Sequence, residues 1–534
     1  MAPFILAGKL LVASFVVQSP TNTNDSKSRS FLQDNKAIMG KICSSHSSQY
    51  SKSRSRVLLS SSKSKTFSGS ETDSSMNSDQ GTLAQMCSLL GASPTDLLRL
   101  AHSSDGVRGV YINRAVKKND MLLQMPLSSC LRDDMPPQWL RGDDIAEQEE
   151  YQEGNDIQPH SYLASRWATR LAANLMDLKY GDLSSTSDAN LSAGRNLWMS
   201  CLPDAKKLRA SLPVHWPEHI VSSAKCTALE LAVDSAYFAR ADAVADLLSG
   251  WKDHIEKKNS EIDEKDTTRE DVTQEHYQHV LDVVQTRSCR VELGYGPEWG
   301  PPLRLLVPVF DFINHGINGN LAAIDMARDG YANAFFGLEV DDSQSSGATE
   351  DVLVVRAWRD IDADEEILID YGDSARPAWQ CLVNYGFVPP YRGEEASEDE
   401  EDNENVNIAE VYYHGVRYEV GPSVVPIDMV EATAAALVVD SGGNEDDKTL
   451  ANSGDSTSLL SPQVALTIAD RLSEVAFELL QEPTVDKESD DVAQDTEFLI
   501  ASDLAALLRW FQHQVLVACA GGLRRYAAKL PESE

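Results

Sequence analysis

The sequence predicts an α+β fold: a β-rich domain that contains a helical insertion, followed by a mostly α-helical C-terminal domain. Strands are predicted where short apolar runs end at polar, turn-prone residues, at 303–309, 352–357 and 367–370. The insertion is predicted where apolar residues recur at steps of three and four, most clearly from Ala228 to Trp251. Amphipathic patterns at 464–479 and 499–518 predict the C-terminal helices.

These patterns divide the 534 residues into two domains, a leading segment and a linker. Residues 1–82 are predicted as a disordered or targeting segment and are excluded from the fold. Residues 83–392 form the β-rich domain, with the helical insertion at about 155–285. Residues 393–407 contain eight Asp and Glu and no Lys or Arg, which is typical of a disordered acidic linker. Residues 408–534 form the helical domain.

The leading segment differs from the rest in composition. Its apolar stretch, Phe4 to Val17, is too short for a membrane span and contains Lys9. The residues from 21 to 78 are serine-rich, basic and poor in acids, as in organellar transit peptides. We therefore expect a plastid location. A plain disordered tail or a start codon placed too early is the alternative, and it would leave the cytoplasm or nucleus.

The charge of the chain limits its partners. The formal net charge is −36, and residues 1–82 carry ten Lys and Arg against five Asp and Glu, which leaves −41 for the rest. A body this acidic repels nucleic acid and suits a basic protein substrate, although solubility alone also explains acidity. We expect no nucleic-acid or membrane partner and a monomer.

The eight cysteines predict neither a metal site nor a disulfide framework. They are scattered and contain no C-x-x-C pair, so reduced and mostly buried thiols are expected.

The elements of the β-rich domain follow in order. A helix is predicted from Leu83, a turn at 105–110 leads into a strand, and a second turn at 117–120 precedes the strand Met121–Pro126. Residues 133–160 are polar and acidic, which predicts a loop. Helical patterns then dominate from Tyr162 to about Val284.

Beyond the insertion the pattern returns to strands. Residues 342–349 predict a hairpin loop, and a short strand pair is predicted at 411–420, after the linker.

Four motifs in the β-rich domain carry the functional signal. In chain order they are Asp105-Gly106-Val107-Arg108-Gly109, the Asp-x-x-Asn-His of 311–315, the Asp-Tyr-Gly of 370–372 and the Asn-Tyr-Gly-Phe-Val of 384–388. Together they resemble the SET-domain protein-lysine methyltransferases, in the branch typified by the Rubisco large-subunit methyltransferase. The segments 198–203 and 212–216 also resemble the insertion of that branch. G-x-x-G alone is a common turn, and it gains weight from its position ahead of the other motifs.

The resemblance implies an S-adenosylmethionine cofactor, a protein substrate that presents a lysine, and a set of site residues. Tyr371 takes the catalytic role, with its hydroxyl near the methyl group. The residues implied to hold the cofactor are Gly106, Arg108, Gly109, Asn314, His315 and Phe387. Those implied to line the lysine channel are Thr286, Arg287, Asp311 and Tyr385. The resemblance also implies that the helical domain at 408–534 helps to bind the substrate protein. Structural roles are the alternative for each: a sheet-edge tyrosine for Tyr371, a turn for Asn314-His315, and core packing for the aromatic residues.

The chemistry explains why the motifs contain no metal cluster or strong base. Methyl transfer from a sulfonium to an amine is an in-line displacement that needs a neutral amine, alignment and exclusion of water. A lysine with an ordinary pKa near 10.4 loses its proton more easily in a poorly solvated channel beside a positive charge. His315 is not predicted as a base.

Two alternative hypotheses fit the motifs less well. A SET-fold module that has lost turnover and recruits partners would need altered motifs, whereas Tyr371, Asn314 and His315 are intact. A hydrolase that uses His315 lacks a G-x-S-x-G or Cys/His signature. The sequence therefore favours a protein-lysine N-methyltransferase that acts on a non-histone protein.

Overall fold

The chain forms two compact units in the part that the structure describes. The computed structural model describes residues 73–103, 107–140, 167–181, 188–261, 272–292, 302–316, 332–341, 350–371, 377–389, 391, 407–440, 460–481 and 496–529. One unit spans 73–389, and the other comprises 391 and 407–529. None of the described helices combines the length and apolar composition that a membrane span requires.

The strands of the first unit form three sheets. Their bounds are β1 Leu98–His102, β2 Arg108–Ile112, β3 Met121–Pro126, β4 Leu131–Arg132, β5 Cys289–Val291, β6 Leu303–Leu306, β7 Asn314–His315, β8 Ala334–Asp341, β9 Glu350–Ala357 and β10 Leu368–Ile369. The largest sheet has the order β3-β9-β8-β10-β7, in which β3, β9 and β8 pair antiparallel and β10 pairs parallel with both neighbours. β1 pairs with β2, and β4, β6 and β5 form the third sheet.

Helices of the first unit lie mainly between β4 and β5. Their bounds are α1 Asp73–Leu89, α2 Trp167–Tyr180, α3 Ala189–Ser200, α4 Ala205–Ser211, α5 Glu218–Ser223, α6 Thr227–Glu261, α7 Gln274–Arg287 and α8 Ala378–Tyr385. Side-chain caps fix several ends: Asp188 accepts from Asn190 and Leu191 at the start of α3, and Asp204 accepts from Lys207 at the start of α4. The helical insertion is confirmed for its described residues.

One hydrophobic core joins the sheets to the insertion. Fully buried residues of β3 and β9, such as Leu123 and Val355, belong to the same cluster as Leu171 of α2 and Val284 of α7. Apolar burial of this kind is the main stabilising contribution in a globular domain. The insertion is therefore part of the domain that carries the motifs.

The N-terminal boundary differs from the prediction. α1 begins at Asp73, within the segment 1–82 that was predicted as disordered or targeting. Its apolar half, with Leu83, Met86 and Cys87 buried, packs into the core and so supports the helix. Residues 73–82 are mostly polar and have no helical apolar spacing, so the sequence did not predict that the helix begins before Leu83. The targeting prediction itself lies outside the described residues.

The second unit is mostly helical and contains one described strand pair. Its elements are β11 Ala409–Tyr413, β12 Val416–Val420, α9 Ile427–Asp440, α10 Pro462–Leu480 and α11 Thr496–Ala527. The hydroxyl of Ser461 accepts from the Val464 N–H, and Pro462 occupies the first turn of α10. The strand pair at 411–420 and both amphipathic helices are confirmed.

Other predictions meet the structure only in part. β8 and β9 pair antiparallel in unbroken register, as expected for strands that flank a hairpin loop, but residues 342–349 lie outside the described part. The predicted loop at 133–160 is described only to residue 140, and the acidic linker lies outside the described residues.

Candidate active site

Parallel pairing of β7 with β10 brings the two central motifs together. Asn314 lies opposite Leu368 and His315 opposite Ile369, and the Gly316 N–H donates to the Ile369 carbonyl at 2.8 Å. Both strands are short: β7 consists of the Asn-His pair itself, and β10 is followed directly by Asp370 and Tyr371. Tyr371 therefore emerges beside the Asn-His pair, although 56 residues separate it from His315.

Two hydrogen bonds fix Tyr371. Its hydroxyl donates to the carbonyl of Ile313 at 2.8 Å, and its backbone N–H donates to Nδ1 of His315 at 3.3 Å. Burial raises the pKa of the Tyr371 phenol, so at neutral pH the group remains a neutral O–H. Because Nδ1 of His315 accepts, a neutral imidazole at this position carries its proton on Nε2. The geometry suits Tyr371 to orient a substrate rather than to act as a base.

Aromatic rings surround Tyr371. The His315 ring lies 5.1 Å and the Tyr385 ring 5.0 Å from the Tyr371 ring, between centroids. The Phe387 ring is 5.7 Å from His315 and 6.0 Å from Tyr385. Gly386, which ends α8 with φ +78°, lets the chain turn so that both rings lie on the same side of the site. The structure thus gathers the predicted Tyr371, His315, Tyr385 and Phe387.

Asn314 locks the site through its side chain. Its Nδ2 donates to the carbonyl of Arg108 at 2.9 Å and to Oε1 of Glu366 at 2.8 Å. The Cβ of any residue larger than glycine at position 109 would lie 2.1 Å from Oε1 of Glu366. The lack of a side chain at Gly109 therefore makes room for this carboxylate.

Glu366 is a site residue that sequence reasoning missed. It follows Glu365 at the start of a short apolar run, where a pair of acids is usually a solvated surface feature. Besides Asn314, the Tyr111 hydroxyl contacts it, donating to Oε2 at 3.4 Å. Its proximity to Gly109 has no local sequence signal, because 257 positions separate the two residues.

A buried asparagine supports the second segment. Asn333 is 1% exposed, and its Nδ2 donates to Oε1 of Glu365 at 3.1 Å and to the Glu366 carbonyl at 2.7 Å. Its Oδ1 accepts from the Leu368 N–H at 2.9 Å. Burial by itself would raise the pKa of Glu365, but hydrogen bonds from Arg359, Asn333 and the Asp362 N–H, with the charge of Arg359, together outweigh it and lower the pKa. This network holds Glu366 and β10 in register.

Asp311 lies in a short 3-10 turn, Phe310–Phe312, directly before β7. Its fully buried carboxylate accepts from Nε1 of Trp198, at 3.1 and 3.2 Å to the two oxygens, and lies 3.3 Å from Nη1 of Arg287. The same Nη1 donates to the Asp311 carbonyl at 2.7 Å. Burial raises the pKa of the Asp311 carboxyl, while Arg287 and the indole N–H oppose that rise.

The remaining predicted residues have other local partners. Arg108 lies over the Phe312 ring, 4.7 Å from its centroid, and donates to the Cys201 carbonyl at 3.0 Å. The Thr286 hydroxyl donates to the Asp282 carbonyl in the preceding turn of α7 at 2.8 Å, which uses its one donor. Gly106 lies outside the described residues.

The cysteines and metal-ligand types add no second centre in the described ranges. Their seven cysteines form no disulfide, and burial raises the pKa of the Cys289 thiol to about 12. Among the described His, Cys, Asp and Glu residues no group of three could hold a metal ion.

Comparison with known proteins agrees with this geometry. The SET domain family model matches residues 107–372, which contain the Gly109, Asn314-His315 and Tyr371 motifs. The chain therefore belongs to the SET-domain family. No curated protein sequence is significantly similar to the chain.

Solved structures supply further likenesses. The SET domain of LSMT bound to lysine and AdoHcy is 12% identical, with 85% of this chain and 93% of that chain covered and a TM-score of 0.44. Rubisco LSMT bound to sinefungin and monomethyllysine is 12% identical, covering 85% and 94% with a TM-score of 0.43. Rubisco LSMT bound to AdoMet is also 12% identical, covering 84% and 92% with a TM-score of 0.42.

Proposed function

We propose that this protein is an S-adenosylmethionine-dependent protein-lysine N-methyltransferase of the Rubisco large-subunit methyltransferase-like branch, acting on a non-histone protein. The observation that carries the proposal is the Tyr371 hydroxyl, which is bonded to the Ile313 carbonyl beside Asn314-His315 and ringed by Tyr385 and His315. Membership of the SET-domain family supports it.

The side chains and backbone groups around Tyr371 fit the cofactor. When bound, S-adenosylmethionine supplies an electrophilic methyl group on a sulfonium. The aromatic faces of His315, Tyr385 and Phe387 suit an adenine ring and a positive charge. Asn314 donates to the Glu366 carboxylate, which fills the space beside Gly109. These contacts fix the backbone of the Asn-His strand next to the Arg108-Gly109 segment. His315, Asn314 and Phe387 would hold the cofactor, together with backbone groups of the Arg108-Gly109 segment.

The chain's own groups then have three tasks toward a lysine. Tyr371 orients the amine through its neutral hydroxyl and the nearby carbonyls. Tyr385, whose hydroxyl donates to the Tyr371 carbonyl at 3.3 Å, closes one side with its ring. Half-buried aromatic walls exclude water, which favours the neutral amine that an in-line displacement requires. No proton acceptor on the protein is needed if the amine enters neutral.

The experiment is incubation of the protein with labelled S-adenosylmethionine and a fractionated extract, followed by mass spectrometry of the labelled residue. We expect label on lysine of a non-histone protein. Label confined to histone tails would contradict the branch assignment. Cofactor binding by calorimetry without transfer to any protein would instead support the interaction module.

Replacement of the catalytic hydroxyl tests the role of Tyr371. Tyr371→Phe should lower the transfer rate about a hundredfold, since misalignment of reacting groups costs roughly that much, while cofactor affinity is kept. Tyr277→Phe is the control, because Tyr277 is a buried tyrosine of α7 that lies outside the proposed site. Equal rates for the two variants would remove Tyr371 from the mechanism.

A further inference from the structure

The turn that precedes the Asn-His strand contains a strained residue. Val309 has φ +70° and ψ −50°, and the Phe310 N–H donates to the Pro308 carbonyl at 2.8 Å, which makes a γ-turn centred on Val309. A positive φ is costly for a β-branched side chain, and such a conformation persists only where its surroundings impose it. Val309 is fully buried, so no solvent-facing freedom relieves it.

The anchor of this turn is the side chain of Asp311. A buried carboxylate is tolerated only when it is hydrogen-bonded and paired, and Trp198 and Arg287 satisfy both conditions for Asp311. Its backbone is also bonded, because the Asp311 N–H donates to the Val307 carbonyl at 3.1 Å. The turn is therefore fixed from its side chain as well as from its backbone.

Trp198 brings this anchor from a distant element. It lies in α3 of the helical insertion, 113 residues before Asp311, and is fully buried. A buried indole N–H needs an acceptor, and a backbone carbonyl would suffice, as Trp216 shows by donating to the carbonyl of Ala210 at 3.0 Å. Trp198 instead donates to both oxygens of the carboxylate in the strained turn.

The turn ends at the partner of the proposed catalytic group. Two residues after Asp311, the Ile313 carbonyl accepts the Tyr371 hydroxyl. We propose that Trp198 is a positioning residue, which acts through the Asp311 carboxylate to hold the 309–313 turn and thereby the orientation of the Tyr371 hydroxyl. This inference rests on the proposed lysine methyltransferase function. It makes the helical insertion a contributor to the alignment of the reaction.

The kinetic test uses Trp198→Phe, which keeps the ring and removes the donor. Trp216→Phe is the control, since it removes an indole N–H from a buried tryptophan of the same insertion. We expect Trp198→Phe to lower kcat ten- to a hundredfold with the S-adenosylmethionine Kd within twofold of the native protein, and Trp216→Phe to leave both within twofold. Similar kcat values for the two variants would overturn the proposal.

A double-mutant cycle tests the route of the effect. In a chain that carries Asp311→Ala, adding Trp198→Phe should change kcat by less than twofold, because the acceptor is already gone. Effects that multiply would mean that Trp198 acts by another path, which would also overturn the proposal.

Hydrogen exchange decides the question independently of activity. Amides from 307 to 315 should exchange at least tenfold faster in Trp198→Phe than in the native protein and be unchanged in Trp216→Phe. Unchanged exchange in Trp198→Phe would refute the positioning role. If the native protein transfers no methyl group, the proposed function fails, and the exchange result still decides whether Trp198 holds the turn.

Discussion

At Gly109 a missing side chain has a measurable consequence. The position lies on β2, and the space that a Cβ would take is filled by the Glu366 carboxylate, which also accepts from Asn314. A methyl group there must push Glu366 away from Asn314, so a change remote from Tyr371 would reach the Asn-His strand. Glycine at this position is a packing requirement as well as a motif residue.

Gly109→Ala should therefore destabilise the first unit by about 1–3 kcal/mol, the usual cost of leaving buried polar groups unpaired, and weaken cofactor binding. Denaturant unfolding and calorimetry measure the two effects. Gly337→Ala is the matched control, because nothing lies within 4 Å of an added Cβ there and no loss is expected. A Gly109→Ala protein with native stability and affinity would show that Glu366 adapts freely.

The sequence predicted those residues of the candidate site that belong to a recognisable motif. It did not predict those whose place in the site depends only on a contact in the folded chain. Tyr371, Asn314, His315 and Phe387 stand in recognisable strings, and the structure brings them together. Glu366, with its contact to Gly109, has no such string. Trp198 stands within a segment of the insertion that resembles the family, but nothing local predicts that its indole meets Asp311.

Among the elements, α7 connects the insertion to the site and carries a titratable contact. His279 bonds through Nε2 to the Pro203 carbonyl at 2.9 Å, so that nitrogen carries a proton and Nδ1 faces Nζ of Lys179 at 3.4 Å. Burial lowers the pKa of His279, and Lys179 adds to the effect against opposing contributions from the Pro203 carbonyl, Asp282 and Asp204. A second proton on His279 would point at an ammonium group.

The sign of the pH dependence follows. With the folded pKa of His279 below its ordinary value of 6.5, only the unfolded chain gains a proton as pH first falls below that value, so folding stability drops. Each pKa unit of difference is worth about 1.4 kcal/mol. His279→Gln keeps a hydrogen-bond donor and cannot titrate. Between pH 7.5 and 5.5 its thermal unfolding midpoint should therefore fall less than that of the native protein.

His219→Gln is the control for the loss of a histidine, because His219 is exposed on α5. It should lose as much stability on acidification as the native protein, measured by thermal unfolding across the same pH range. If His279→Gln behaves in the same way as His219→Gln, the buried contact with Pro203 is not responsible for the acid sensitivity.

Element prediction succeeded where one periodicity was clean. α10 and α11 were predicted from their amphipathic patterns. The helices Pro462–Leu480 and Thr496–Ala527 both extend beyond the predicted bounds of 464–479 and 499–518, and the C-terminal end of α11 extends furthest. The bounds of β8 and α9 were not predicted. The Ala-Phe-Phe-Gly-Leu run of β8 and the Ala- and Val-rich run of α9 are apolar without a decisive period of two or 3.6, and tertiary packing decides such runs.

At the scale of the molecule, the described residues form two units with separate internal contacts. Two such cores predict unfolding that is not two-state. Calorimetry should show two transitions, and S-adenosylmethionine at a hundred times its Kd should stabilise the transition of the SET-domain unit by about 2.7 kcal/mol while leaving the other unchanged.

A matched test uses Tyr371→Phe, which should show the same shift because the role proposed for the hydroxyl is to orient the lysine and not to bind the cofactor. A single transition would mean that the two units unfold as one, and a shift of both transitions would mean that cofactor binding does not stabilise the SET-domain unit alone. The sequence predicts a division at the acidic stretch 393–407, because eight acids without a base cannot form a hydrophobic core. Residues 393–406 lie outside the described part, so this stays a prediction.

The outer edge of β2 has a consequence for biosynthesis. Its Val110 carbonyl accepts from the Ile367 N–H at 2.7 Å, and its Ile112 N–H donates to the Glu365 carbonyl at 3.0 Å. Tyr111 and Glu366 are 255 residues apart, so at about 5–20 residues per second a ribosome needs roughly 13–50 s to deliver the second segment. Until then β2 presents an edge that other chains can pair with, and nascent protein should depend on chaperones that shield such edges.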